Sequence, residues 1–590
     1  PAAPPSAGQL KAYEVLKQEA KEYEKGAKEF RDTLTMIVRH HYEERRRRIL
    51  NTLDREIGIE KKGLREARAE AIKRLEAFIA LYSGENAHPS ATPDGMFRLA
   101  ALYEERAREA QEGDLSAGLE PAITLYRRII DEYPQYEEMA AVHYFLGHAY
   151  TDSAKLDEGQ QAWRALVCNN RYQVKPDKKD AGKIELQPLE QDHDDKFWTD
   201  WMNKHPVPLD GGALGKAAKK PAPKPVAKGK AKGAPVGTAE EELSFRDPYP
   251  LDCKALPQDL RPGEDPRYMA EIWWQIGNNH FDQIDPRGGP YNLNRAVSAY
   301  QHSMQFKKPP VYGVSMYKQA WTYFKQQRYK TAVDEFVKLL HHADELEAKT
   351  GDPGADFRQE AFTYIAGSLT YVDFEGPPGD NPYIPRNDVL DTEPNPLIAE
   401  EKMAIGIQRV QDPALIPQDK KWSVEIYKAL AQEYIEITQN RNAIATLEIT
   451  LKKFPMDRDA PVMQNRVADL YDQLTRLAPE GSPAKAEAAS KALEARTKLA
   501  AYVGATPWTD ANRDDPEALA QAEQLVKGGL RRAAADHTNA GRIFYNRALE
   551  LTNPAEQKAQ IEKAVDEYRM AETGWGGYLN QDPNALDAYE

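Results

Sequence analysis

Cysteine is nearly missing from this chain: Cys168 and Cys253 are the only two in 590 residues. That excludes a small disulfide-stapled fold and any four-cysteine metal site. No apolar run approaches the ~18 residues that a membrane-spanning helix needs. Positive charge is in deficit, with a formal net charge of -14. A nucleic-acid surface calls for a basic field, so nucleic acid is not an expected partner. The signatures HExxH, GxSxG and CxxC are absent. GGALGK at Gly211–Lys216 runs into Ala217 instead of Ser or Thr, which makes no phosphate loop. His40-His41 and His341-His342 are adjacent on helices and point about 100° apart, so neither pair forms a chelating face. No catalytic residue, metal or cofactor is expected.

What is present is helix-forming sequence. Charged residues are 29%, hydrophobic residues 41%, and mean hydropathy is -0.73. This is wet for a compact globule and ordinary for stacked helix pairs. The start PAAPPSAGQL reads as a mature or trimmed N-terminus without a hydrophobic signal segment. Residues 10–82 are rich in Ala, Glu, Lys, Arg and Leu and contain no proline. Phe30, Leu34, Ile37 and His41 share a stripe that Leu50, Leu53 and Ile57 continue. Gly26, Gly58 and Gly63 are the expected breaks, giving a helical hairpin or a coiled-coil arm. Arg45–Arg48, after Glu43-Glu44, reads as a solvated, partly paired face.

The chain divides by composition. A short disordered start (1–9) precedes the long-helix arm (10–94) and a set of helix pairs (95–168). A linker follows (169–254), whose tract Lys216–Lys232 is KAAKKPAPKPVAKGKAK. Lys, Pro, Ala and Gly at this density bury no core. Phe197, Trp198 and Trp201 form a small apolar cluster within the linker. Helix pairs resume (255–371), broken by a Pro-rich acidic loop (372–396) and continued (397–575) before a tail (576–590). Asp380, Asn387, Asp388 and Asp391 in that loop match no calcium-loop spacing and read as solvated. Cys168 and Cys253 flank the linker. A bridge between them would close about 85 residues and contribute roughly 4–5 kcal/mol in the chain-entropy model; two buried thiols are the other reading.

The segment Tyr427–Pro455, YKALAQEYIEITQNRNAIATLEITLKKFP, carries the sharpest pattern. Tyr427, Leu430-Ala431 and Tyr434 lie on one helix face, and Ala443, Leu447 and Thr450 on a second. Met316–Leu339 and Gly147–Leu166 follow the same spacing, with twelve residues from Gly147 to Gly159. These stretches resemble tetratricopeptide repeats, and phrases such as DEYPQYEEMAAVHYFLGHAY are similar to envelope proteins of the myxobacterial type. The resemblance implies an all-α solenoid of helical hairpins in two lobes, 10–168 and 255–575, acting as a scaffold for envelope-complex subunits. It also implies a concave surface lined by each first helix. The positions mapped there are Tyr144, His148, Trp274, Asn278, Tyr317, Trp321, Lys325, Lys428 and Gln432. Lys216–Lys232 is a second candidate contact, for an anionic polymer or membrane. A site in the Trp273–Gly289 or 372–396 inserts would instead suit an enzyme or carbohydrate-binding protein.

Overall fold

Apolar residues spaced three and four apart, with few β-branched runs, commit most of this chain to amphipathic helices that must find a neighbour. The computed structural model describes residues 7–110, 115–176, 184–188, 253–282, 289–354, 356–372, 374, 393, 395–479, 482–581 and 585. Two compact units result: residues 1–159 with 174–185, and residues 160–173 with 186–590.

The first unit opens with one helix of 75 residues, α1 (Ala7–Leu81). It runs through Gly26, Gly58 and Gly63, where the sequence predicts breaks. A Cβ at any of the three would meet nothing within 4 Å, so no tertiary contact forces a bend. A lone glycine costs a helix only about 1 kcal/mol, which the flanking Glu, Lys, Arg and Leu offset. α1 packs on α2 (Ala91–Glu109), α2 on α3 (Leu115–Glu132), and α3 on α4 (Met139–Asp152). Between α2 and α3 the Glu104 carboxylate is buried and accepts from the Tyr126 hydroxyl at 2.7 Å. Burial raises its pKa; Tyr126 and Arg108 pull the other way without cancelling the shift. The twelve-residue spacing expected of a repeat has a steric cause. A Cβ at Gly159 would lie 2.7 Å from Thr151 Oγ1 and 3.0 Å from the Gly147 carbonyl.

The division between units falls inside α5 (Leu156–Val167), not at residue 168. Two short strands, β1 (Tyr172–Pro176) and β2 (Ile184–Pro188), pair within the stretch expected to be linker. Cys168 and Cys253 are disulfide-bonded. Both belong to the second unit, so the bridge does not join two lobes. Lys216–Lys232 and the Phe197, Trp198 and Trp201 cluster lie outside the described residues, as do Asp380, Asn387, Asp388 and Asp391.

The second unit is a run of helix pairs. α6 (Met269–Asp282) packs on α7 (Gly289–Met304), and α8 (Val311–Lys325) on α9 (Tyr329–Thr350). α10 (Arg358–Thr370) is followed by two short helices, α11 (Pro396–Met403) and α12 (Ile405–Gln411), in place of one long partner. It packs directly on α13 (Ser423–Glu436), which pairs with α14 (Asn440–Lys453). α15 (Ala460–Leu477) then pairs with α16 (Pro483–Lys498). After a short α17 (Pro507–Ala511), the chain ends in the pair α18 (Pro516–Glu550) and α19 (Pro554–Gln581). α18 runs unbroken through Asp536-His537, which brings neither Gly nor Pro. α19 also carries helix to Gln581, into the expected tail. First helices of successive pairs touch one another: α6 with α8, α8 with α10, and α10 with α13. One apolar cluster runs from α7 to α18, including the buried Phe336, Tyr427, Tyr434 and Trp508. This is the helical-hairpin solenoid that the repeat spacing implies.

Candidate functional site

Three first helices, α6, α8 and α10, bring aromatic and cationic side chains onto one face. α6 can approach closely because Gly277 has no side chain: a Cβ there would sit 2.5 Å from the ring of buried Tyr300 on α7. That approach sets Trp274 and Asn278. Trp274 packs against Phe281, Ala296 and Tyr300, and Asn278 Oδ1 accepts from the Tyr300 hydroxyl at 2.9 Å. On α8, Trp321 joins both this cluster and the main core. Its ring centroid lies 4.8 Å from Phe281 and 5.8 Å from Tyr364 on α10.

Two lysines hang over these rings. Lys325 Nζ is 4.0 Å from the Phe281 centroid and 3.4 Å from the Phe281 carbonyl oxygen. Lys318 Nζ is 4.4 Å from the Phe281 centroid and 4.9 Å from the Trp321 centroid. Neither lysine has an ion pair among the described residues. Burial pushes the Lys318 ammonium below the ordinary lysine range, Asp282 opposes this, and Lys325 adds to it. A half-desolvated cation over an aromatic face gains about 0.5–2 kcal/mol from the ring quadrupole. It stays under-compensated, and an arriving carboxylate or phosphate would relieve it.

The other mapped residues fall elsewhere. Tyr144 and His148 are half-buried on α4 in the first unit, their rings 4.6 Å apart and edge to face. Tyr317 is not on an open surface: it is buried and stacked on Phe357 at 4.3 Å. The register finds its helix face but not the ring that the next hairpin lays over it. Lys428 is spent on structure, 2.9 Å from Glu425, 2.8 Å from Asp457 and 2.7 Å from Asp459. Burial would lower its pKa, but hydrogen bonds to Asp457, Asp459 and Glu425 outweigh that and hold it above the ordinary value. Gln432 is exposed and donates to Glu436 at 2.9 Å. Of the mapped set, the fold therefore gathers Trp274, Asn278, Trp321 and Lys325. The sequence reading missed Phe281, Lys318 and Tyr364. Positions 318, 321 and 325, three and four apart, were the available signal for Lys318.

A set of titratable groups lies away from both inserts. A cavity of about 730 Å3 between α15, α16, α18 and α19 is lined by Asp472, Arg496, Asp536, His537 and Glu567. His537 Nδ1 is 2.7 Å from Glu567, Arg496 is paired with Asp472, and Arg496 lies 3.0 Å from Asp536. Burial raises the Asp536 pKa against the pull of Arg496 and Arg532. Ser490 and Thr497 line the same cavity, but neither hydrogen-bonds to His537 among the described residues. The nucleophile–base contact of covalent catalysis is thus not assembled there. No group of metal-binding side chains occurs among the described residues, and no helix is long and apolar enough to cross a membrane.

Comparison with known proteins gives no family model and no curated protein that matches. Among solved structures, the human IFIT1 dimer with m7Gppp-AAAA is similar at 10% identity, covering 88% of each chain, with a TM-score of 0.17. The APC/C hetero-tetramer Cut9–Hcn1 is similar at 11% identity, covering 84% of this chain and 88% of that one, with a TM-score of 0.16. At such TM-scores neither likeness bears on what this chain binds.

Proposed function

We propose that this chain is a non-catalytic scaffold of a bacterial envelope complex, and that the α6–α8–α10 face holds a partner segment carrying acidic and aromatic residues. The observation that carries this reading is the pair of lysines, Lys318 and Lys325, held over Phe281 and Trp321 without a carboxylate of their own among the described residues. Rigid rings supply contact area at low entropic cost, and the two cations orient an anionic group. A bonded Cys168–Cys253 pair supports an oxidising compartment, hence an envelope location.

The test is capture from envelope extracts with the purified chain as bait, compared with a Trp274→Ala, Trp321→Ala double variant and with Lys318→Glu. Loss of the same partner in both, with helix content unchanged by circular dichroism, supports the reading. Capture that survives both variants removes the face from consideration. Retention of RNA in place of protein, abolished by Lys318→Glu, would overturn the choice of partner class.

A further inference from the structure

The cavity between α15, α16, α18 and α19 is built from one face of each helix. Ala486, Ala489, Leu493 and Arg496 recur three and four residues apart along α16, and His537, Ala540 and Phe544 do so along α18. Glu567 and Met570 follow at the same interval on α19. Alanine on facing walls leaves about 730 Å3, inside the ~300–1,000 Å3 range of small-molecule sites. Its polar groups lie deep: Arg496 is 2% exposed and His537 is 7% exposed. Ala489 and Met570 stand exposed at the mouth.

The strong donors around this cavity are already engaged. Arg496 is paired with Asp472 and lies 3.0 Å from Asp536. Arg532 lies 2.7 Å from the same Asp472, and Lys498 lies 2.8 Å from Glu494. The Thr497 hydroxyl donates to the Leu493 carbonyl at 3.0 Å. What stays open is acceptors. Glu567 has no lysine or arginine within ion-pair distance among the described residues; its partner is His537 Nδ1 at 2.7 Å. A carboxylate only accepts, so Nδ1 carries the proton, and Nε2 of the neutral ring keeps its lone pair. That Nε2 has no hydrogen-bond partner among the described residues, although the ring is more than nine-tenths buried. Asp536 adds a third acceptor, half-exposed and shared with Arg496 through only one of its oxygens.

We propose that this cavity binds a small organic amine. Its ammonium is held by Glu567, His537 Nε2 and Asp536, and its apolar body lies against Leu493, Phe544 and Met570. The three N–H donors of a primary ammonium match the three open acceptors in number. An anion would meet Glu567 and Asp536 with no open cation to receive it. A neutral guest would leave Glu567 uncompensated in a partly desolvated place. Burial already holds the Asp536 carboxyl above its ordinary range, and an arriving positive charge relieves that cost. Phe544 offers a ring face to the same charge, and it already has the Lys563 ammonium 5.8 Å from its centroid.

The experiment is calorimetric titration of the full chain with phenethylamine, hydrocinnamate and phenethyl alcohol, which share an apolar body and differ in charge. The amine should bind, hydrocinnamate should not, and the alcohol should bind at least tenfold more weakly than the amine. Glu567→Gln keeps the shape of the side chain, removes its charge and should weaken amine binding roughly tenfold. Ala489→Trp fills the mouth from an exposed position, leaves every polar group in place and should abolish binding. Circular dichroism should show unchanged helix content in both variants. Amine binding that is indifferent to either variant, or matched by hydrocinnamate, overturns the proposal. A lysine-bearing peptide that binds more tightly than phenethylamine overturns the assignment to a small molecule. None of these readouts uses partner capture on the α6–α8–α10 face, so this inference and the scaffold reading fail separately.

Discussion

Lys318 and Lys428 sit on first helices of the same solenoid, α8 and α13, and have opposite surroundings. Lys428 is closed in by three carboxylates, two of them arriving from the turn after α14. Lys318 has two aromatic rings and a neighbouring cation, and its pKa is lowered where that of Lys428 is raised. The two lysines are alike in lying on first helices and unlike in what is left of their charge. One is committed to the fold by its ion pairs, whereas the other has no carboxylate within ion-pair distance among the described residues.

The largest expected effect falls on the committed lysine. Lys428→Met should lower the unfolding free energy by about 3 kcal/mol, because Asp457 is left nearly buried without its cation, and should leave partner capture unchanged. The sign with pH follows from the raised pKa. The stabilisation is present below the ordinary lysine value and lost as pH rises through the folded one. An alkaline urea series should therefore show wild type converging on the variant, and parallel curves would break the contrast. Gly277→Ala should cost about 2 kcal/mol by pushing α6 off Tyr300, and should weaken capture as Trp274 moves with it. Normal capture in that variant would mean that the α6–α7 spacing does not set the face.

Lys318→Met should change stability by no more than about 0.5 kcal/mol, since it removes a charge that burial already disfavours, yet should abolish capture. The capture of wild type should fade as pH rises, with a midpoint below the ordinary lysine value. The smallest effect belongs to Gln432→Ala, within about 0.3 kcal/mol and with no change in capture, because its exposed bond to Glu436 is local to one helix.

Local spacing was legible where it has a local cause. Twelve residues from Gly147 to Gly159 is the distance at which two helices meet without a side chain between them. Whether a mapped side chain is free was not legible, because the groups that decide it are far along the chain. Asp459, which holds Lys428, lies 31 residues further on, and Phe357, which covers Tyr317, comes from the following hairpin. The breaks expected in α1 failed for the converse reason. A glycine weakens a helix slightly, but no neighbouring element bends this one.

The bond between Cys168 and Cys253 brings two Cα atoms 85 residues apart in sequence to 4.6 Å. The bond thus closes residues 168–253 into one covalent ring. A proteolytic cut within it would leave a single covalent molecule, whose two pieces part only when a reductant reaches that one bond.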